Sequence, residues 1–253
     1  MKWLLWILLC PHLLFFTAAV MSCPPLKDGQ TFSVFCNHST TLDSSQVLEW
    51  TIERYQNVDL SVANCSLSNQ TCSGPFSARL KVNGSFVESN LTDVKASTSY
   101  RNFKCRLSPS RMSAWSPCSG ALVVYTPPEN VTCDLPTVGT NVTVTCRTSK
   151  VSPGIRCEFF TRWSGDSAST KVNGTIEYKN EEYSLRVDGE LVPYNASNCT
   201  LTVPRTSFLS GSHEISVRMF SSSNASKTDA VNSTAGSVTL GEYLCGTQYV
   251  FGT

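Results

Sequence analysis

Histidine is scarce in this chain, with three in 253 residues. His12 lies in an apolar leader, which leaves His38 and His213. A nucleophile needs a base within hydrogen-bond reach, and neither position favours one. His38 sits inside the Asn37-His38-Ser39 sequon, where a sugar would crowd it. His213 falls in a Gly-Ser-His-Glu stretch that reads as a turn with a solvated imidazole. There is no Gly-x-Ser-x-Gly elbow, no His-Glu-x-x-His and no phosphate-binding glycine loop. Cys-x-x-Cys is absent as well, so no zinc site or other cofactor is expected. The acidic pair Glu181-Glu182, next to Asn180, reads as an exposed loop. These absences argue against an enzyme and leave a divergent hydrolase as the least favoured reading.

Net charge is also nearly absent: Lys plus Arg number 20 and Asp plus Glu 19. A neutral chain gives no electrostatic case for nucleic acid or an anionic membrane as partner. After residue 22 no apolar run approaches the roughly 20 residues that span a bilayer. The longest, 121–125, is the size of a strand. Helical periodicity is scarce throughout.

The first 22 residues differ from the rest. Lys2 supplies a positive charge, 3–16 are almost wholly apolar, and small residues follow at Thr17, Ala18 and Ala19. That order is a secretory signal peptide, with cleavage fitting after Ala19 or Ser22. The remaining length, about 231 residues, suits two domains of roughly 100 residues each.

Twelve of the fifteen asparagines lie in Asn-x-Ser/Thr sequons: Asn37, Asn64, Asn69, Asn83, Asn90, Asn130, Asn141, Asn173, Asn195, Asn198, Asn224 and Asn232. Ser and Thr are about a quarter of the chain, so chance would give about four. The excess predicts a heavily N-glycosylated, extracellular surface. A partner must then bind in a gap between glycans or bind the glycans themselves.

Once Cys10 leaves with the signal, eleven cysteines remain: Cys23, Cys36, Cys65, Cys72, Cys105, Cys118, Cys133, Cys146, Cys157, Cys199 and Cys245. In an oxidising compartment these read as bridges. Spacings of 13 residues recur at 23/36, 105/118 and 133/146, so the second pair restates the first one domain later. Cys245 is left over and is a candidate for interchain pairing or for a partner beyond this chain.

Short alternating apolar runs are common: Phe32, Val34 and Cys36; Leu48, Trp50 and Ile52; Val142, Val144 and Cys146; Ile215, Val217 and Met219. Separated by Ser, Asn, Gly and Pro, they predict strands of an all-β fold. Residues 121–125 read as the last strand of a first unit, and Thr126-Pro127-Pro128 as a short stiff connector. The expected organisation is a signal at 1–22, domains at 23–126 and 127–240, and a tail or truncated segment at 241–253. In that tail Gly241-Glu242-Tyr243-Leu244-Cys245 has no first Cys at a suitable distance. Trp163 reads as either the end of a core strand or part of an exposed loop, with a core or packing role favoured because large aromatics are mostly buried.

Residues 23–126 resemble the immunoglobulin superfamily: Cys36, then Trp50, then Cys105, with Phe103 two residues before the second Cys. The resemblance implies β-sandwiches, with Trp50 and Phe103 in the core and Phe160 taking the place of Trp50 in the second domain. That second domain is an atypical immunoglobulin-like domain or a fibronectin-type relative, because 213–220, the strand that should carry its second Cys, has none. The chain resembles tandem immunoglobulin-domain secreted or cell-surface glycoproteins of invertebrates. The resemblance implies Cys36–Cys105 across the sheets with Cys23–Cys118 outside. Spacing alone equally allows Cys23–Cys36 with Cys105–Cys118. Cys65–Cys72 is local and common to both schemes. For the second domain the reading is Cys133–Cys146 and Cys157–Cys199, with Cys157 and Cys199 at strand starts at one end of the sandwich.

The expected function is non-catalytic extracellular recognition or adhesion, with a protein or glycan partner. The chain would be secreted, or the ectodomain of a truncated cell-surface protein. Alternatives are a secreted decoy or inhibitor and a soluble immune effector that binds carbohydrate.

Overall fold

A computed structural model describes residues 25–39, 43–108, 122–224 and 227–241. The signal segment, Cys23, Cys118 and Cys245 lie outside these residues. Strands dominate the described chain, and its only helical element is one short 3-10 turn at Arg205–Ser207.

The first sandwich uses β1 (Leu26–Lys27), β2 (Thr31–Ser39), β3 (Val47–Arg54), β4 (Asp59–Ser66), β5 (Thr71–Ser73), β6 (Ser77–Asn83), β7 (Phe86–Lys95) and β8 (Tyr100–Ser108). One sheet runs β2-β7-β6 and the facing sheet β5-β4-β3-β8. Strict alternation puts Leu48, Trp50 and Ile52 of β3 and Phe103, Cys105 and Leu107 of β8 inside. In β7 the inward residues Leu91 and Val94 are three apart, which simple alternation forbids. A bulge at Asp93, with φ of 59°, adds the extra residue and restores the phase.

Two ties cross this sandwich side by side. Cys36 of β2 is bridged to Cys105 of β8, so the structure holds the cross-sheet pairing and not the neighbour pairing. In register beside them, Trp50 lies opposite Cys105 and Ser89 opposite Cys36. Trp50 Nε1–H donates to Ser89 Oγ at 2.9 Å, and Ser89 Oγ–H donates to the Arg79 carbonyl at 3.0 Å. The indole is wholly buried with its one polar group satisfied. Phe32 and Tyr100 pack edge-on against Phe103. Cys65–Cys72 clips the β4–β5 hairpin.

The second sandwich uses β9 (Val124–Glu129), β10 (Thr132–Cys133), β11 (Thr137–Val138), β12 (Asn141–Ser152), β13 (Ile155–Trp163), β14 (Thr170–Lys171), β15 (Thr175–Val187), β16 (Glu190–Pro204), β17 (Gly211–Ser221) and β18 (Val231–Leu240). One sheet runs β9-β12-β16-β15, with β10 and β11 also on β12, and the other β14-β13-β17-β18. Its cross-sheet bridge is Cys157–Cys199, from β13 to β16, while Cys133–Cys146 pins β10 to β12 within one sheet. Cys157 lies near the start of its strand, but Cys199 is in the middle of β16, not at a strand start.

Two expectations need correction here. The supposed connector 126–128 is part of β9. This strand pairs in parallel with β1 of the first sandwich and antiparallel with β12 of the second, and so belongs to both. Its prolines sit where β9 lacks ladder partners, as proline must. Phe160 is not the core aromatic of the second sandwich. Phe159 is, fully buried, while Phe160 points outward under the Arg218 guanidinium, 5.3 Å from its ring centre. Counting fourteen residues from Cys146 misses by one because β12 carries a bulge between Thr148 and Val151. One extra residue exchanges the two faces of everything counted across it.

Phe159→Ala is therefore expected to cost about 3–5 kcal/mol and Phe160→Ala no more than about 1 kcal/mol, read from urea unfolding of the purified chain.

Candidate functional site

The long hairpin β15–β16 turns through Asp188-Gly189, both with positive φ (49° and 87°), the two-residue turn that suits the twist of paired strands. Its burial changes phase along β16. Ser197, Cys199, Leu201 and Val203 are buried on one face, and Glu190, Val192 and Tyr194 on the other. The half near Cys199 fills the second sandwich's own core. The half near the turn presents its opposite face to the first sandwich.

The contacts there are polar. The Tyr194 and Thr98 hydroxyls share a buried hydrogen bond of 2.6 Å. Asp188 accepts from the hydroxyls of Ser97 and Ser99 at 2.7 and 3.0 Å. Arg54 donates to the Asp188 carbonyl at 3.0 Å and faces the buried Glu190. Lys150 lies over the Tyr194 ring, with Tyr183 stacked on the same ring. On the other side of β9, Asp229 holds Lys27 at 2.6 Å and accepts from the Tyr125 hydroxyl at 2.8 Å. Burial and that hydrogen bond push the Tyr125 hydroxyl up to about 12, while Lys27 and then Tyr125 hold Asp229 below its ordinary value. Desolvation raises the Asp28 carboxyl beside the Thr98 amide. This seam joins the two sandwiches and takes up Arg54, Asp188 and Glu190.

The sequons are unevenly placed. Asn37, Asn64, Asn69, Asn83, Asn130, Asn141, Asn173 and Asn232 are exposed, and Asn90, Asn195 and Asn198 half-buried. Asn224 is an exception: it is 3% exposed, and its Oδ1 accepts the Lys227 amide. Burial of that side chain argues against a glycan there in this fold. In the first sandwich Asn37, Asn83 and Asn90 lie on the β2-β7-β6 sheet, and Asn64 and Asn69 flank the β4–β5 hairpin. In the second, Asn141, Asn195 and Asn198 lie on β12 and β16, with Asn130 and Asn173 in adjoining turns. Of the sequons, only Asn232 lies on the sheet β14-β13-β17-β18.

That sheet's outer face carries Arg156, Glu158, Phe160 and Arg162 of β13, and in register Arg218, Ser216 and Glu214 of β17. Lys171 and Lys227 both bind Glu158 at 2.8 Å and hold its carboxyl below the ordinary range. Lys227 also covers the Phe220 ring. Arg162 pairs with Glu214. Five cations thus meet two carboxylates on a face with one sequon.

His213 is not a solvated turn residue. It lies in β17, 3% exposed, with Nε2 2.9 Å from the Leu209 carbonyl, Nδ1 3.3 Å from Thr161 Oγ1 and Phe208 edge-on to its ring. Glu181 and Glu182 are exposed, but on the edge strand β15 and not in a loop. No group of three His, Cys, Asp or Glu is placed to hold a metal among the described residues. Trp163 ends β13 and is 39% exposed. A carboxylate–histidine–hydroxyl constellation does not occur at any of these positions.

Two β-sandwiches of this strand order, each tied by one cross-sheet disulfide beside a buried aromatic, have an immunoglobulin-like fold. No protein-family profile matches the chain, and no curated protein does. Among solved structures it is similar to the full ectodomain (Ig1–Ig3) of mouse nectin-like molecule 4, at 13% identity and a TM-score of 0.46. The match covers 85% of this chain and 66% of that one, so the chain spans about two-thirds of that ectodomain.

The seam makes two predictions. Tyr194→Phe leaves the Thr98 hydroxyl buried without its partner and should cost about 1–3 kcal/mol in chemical unfolding. Tyr125 is protonated in the folded chain up to about 12, against 10.0 for a free tyrosine. Its contribution is complete below pH 10 and is lost as pH rises through 10 towards 12. Tyr125→Phe should flatten that decline in alkaline unfolding curves.

Proposed function

We propose that this chain is a non-catalytic extracellular recognition protein that engages a macromolecular partner through the outer face of β14-β13-β17-β18. The observation that carries the reading is the sequon map. Glycans at the exposed sequons would shield the β2-β7-β6 sheet and the sheet built on β12 and β16, and leave this face nearly bare. A partner needs on the order of 800 Å² per side for a stable complex, and a four-stranded sheet whose one sequon is Asn232, opposite Arg218, leaves more of its surface open than the other sheet of the second sandwich. Its chemistry is also that of recognition surfaces: arginines and aromatics in contact, with salt bridges that fix their orientation. Buried His213 and the hydrogen-bonded seam carboxylates supply structure and not turnover.

Glycan wedges test this. Ser216→Asn with Arg218→Thr writes a sequon into the middle of the face, and Lys179→Asn with Glu181→Thr writes one on β15 as a control. Fluorescent tetramers of each secreted chain are applied to a panel of displayed extracellular proteins. Retention of wild type and the β15 control on the same partner, with loss in the β17 wedge by about tenfold or more, is expected. Binding that survives the β17 wedge but not the β15 wedge overturns the assignment. Turnover of ester or glycoside substrates by the purified chain overturns the non-catalytic reading.

A further inference from the structure

At one end of the same face lies an open cleft of about 500 Å³, lined by Arg162, Trp163, Ser164, Gly165, Asp166, Ser212, Glu214 and Ser237. Arg162, Glu214 and Ser237 sit side by side in register on β13, β17 and β18 and form its floor. The tight turn 163–166 forms its wall. Both the Gly165 and Asp166 amides donate back to the Trp163 carbonyl, and the Ser164 amide donates to the Ser212 carbonyl at 2.9 Å.

The indole is held in place, not loosely parked. Its Nε1–H donates to the Ser210 carbonyl at 3.2 Å. Gly211, with φ of 123°, lets the ring close in: a Cβ there would stand 2.5 Å from the indole nitrogen. Gly165 approaches the far edge of the ring, where a Cβ would make ordinary contact at 3.5 Å. Yet 39% of Trp163 stays open to solvent. A large ring fixed by its own hydrogen bond and still exposed keeps apolar surface available for a ligand, which fixing the turn alone does not require.

We infer that this cleft is a binding site for a neutral pyranose saccharide. The argument is chemical. A pyranose offers an apolar patch of C–H groups and a rim of hydroxyls. The exposed indole suits the first. The second needs closely spaced acceptors and donors, which Asp166, Glu214, Ser164, Ser212 and Ser237 supply. One guanidinium, already engaged by Glu214, stands against two carboxylates, so the lining repels anionic sugars. The nearest sequon on these strands, Asn232, is five residues from Ser237 along β18, roughly 17 Å away. The chain's own glycan there need not cover the cleft. This inference deepens the recognition reading and rests on it, the cleft being part of the sugar-poor face.

The test is a microarray of neutral and sialylated pyranose oligosaccharides probed with the intact secreted chain, followed by titration of Trp fluorescence with the best neutral hit. Expected is saturable binding to neutral glycans, a weaker signal for their sialylated counterparts, and quenching that Trp163→Phe removes. Trp163→Ala should weaken binding by about tenfold or more, and Asp166→Asn by a smaller factor, with unfolding midpoints near wild type. Retention of no neutral glycan by the wild-type chain overturns the proposal, as does binding unchanged in Trp163→Ala. If Trp163→Ala proves unstable, Asp166→Asn and Ser237→Ala decide it, since both are surface changes. Failure here with partner binding still lost in the β17 wedge sinks the saccharide site alone. Partner binding that survives that wedge sinks the recognition face itself.

Discussion

The arrangement of the two sandwiches depends on a strand that is too long for its own sheet. β16 has 15 residues, and the half around Cys199 suffices to fill the second core. The overhang would expose Val192, Tyr194 and a carboxylate if it stood alone. Strand twist turns its opposite face outward beyond the core, and the first sandwich covers that face. A hairpin long enough to reach, a turn of Asp188-Gly189 that lets it close, and a phase change between Tyr194 and Ser197 are together what bring Thr98, Ser97, Ser99 and Arg54 onto it. The shared strand β9 holds the other side of the junction. Two sandwiches joined at both a strand and a hairpin tip have little freedom to swing, so the surfaces they leave outward are set by the fold.

The polarity of the seam matters more than its strength. Apolar faces of two sandwiches would stick in many rotations, whereas hydroxyl pairs and an acid between two serines fit in one. Buried polar contacts of this kind contribute modest net stability and penalise every misfit. The same economy of charge explains the outer faces. Of the 20 basic and 19 acidic side chains in the sequence, about half are in ion pairs among the described residues, some of them within the seam. The cationic excess on β13 and β17 is therefore a local feature that net charge conceals.

Much of the first sandwich was legible because its core obeys simple alternation. Phe32, Val34 and Cys36, and Leu48, Trp50 and Ile52, are strand residues with their apolar sides inward, as are Val142 and Val144 and the run from Ile215 to Met219. Where the reading failed, a local irregularity intervened. A bulge in β12 exchanged the inward and outward phase, and Phe159, not Phe160, faces the core. Two prolines suggested a linker, but β9 needs few ladder bonds at those positions and continues as a strand. His213 looked solvated beside glycine and serine, yet its alternation with Ile215 and Val217 already marked an inward position. Glu181 and Glu182 looked like a loop because an edge strand exposed on both faces shows no alternation. Asn224 satisfied the sequon pattern, which carries no information about burial. The seam itself had one visible sign, the Asp-Gly turn between two long polar-apolar runs. What those runs would cover could not be read, since contacts between residues 98 and 194 have no sequence signature.

The placement of Trp163 follows from the same geometry. Inward positions on β13 run Cys157, Phe159 and Thr161, and the next in phase is Trp163, one step past the end of the core. An inward residue that overshoots its core either folds back over the sandwich end or stays wet. Here the carbonyl of Ser210 and the missing side chain of Gly211 catch one edge of the ring, and the tight turn after it keeps the rest from closing down. On β16 the overshoot is covered by the first sandwich. On β13 nothing in the described chain covers it. Two strands of one sandwich thus extend past its core by the same logic, and only one of the two extensions finds its cover within the molecule, which is why a ligand is sought at the other.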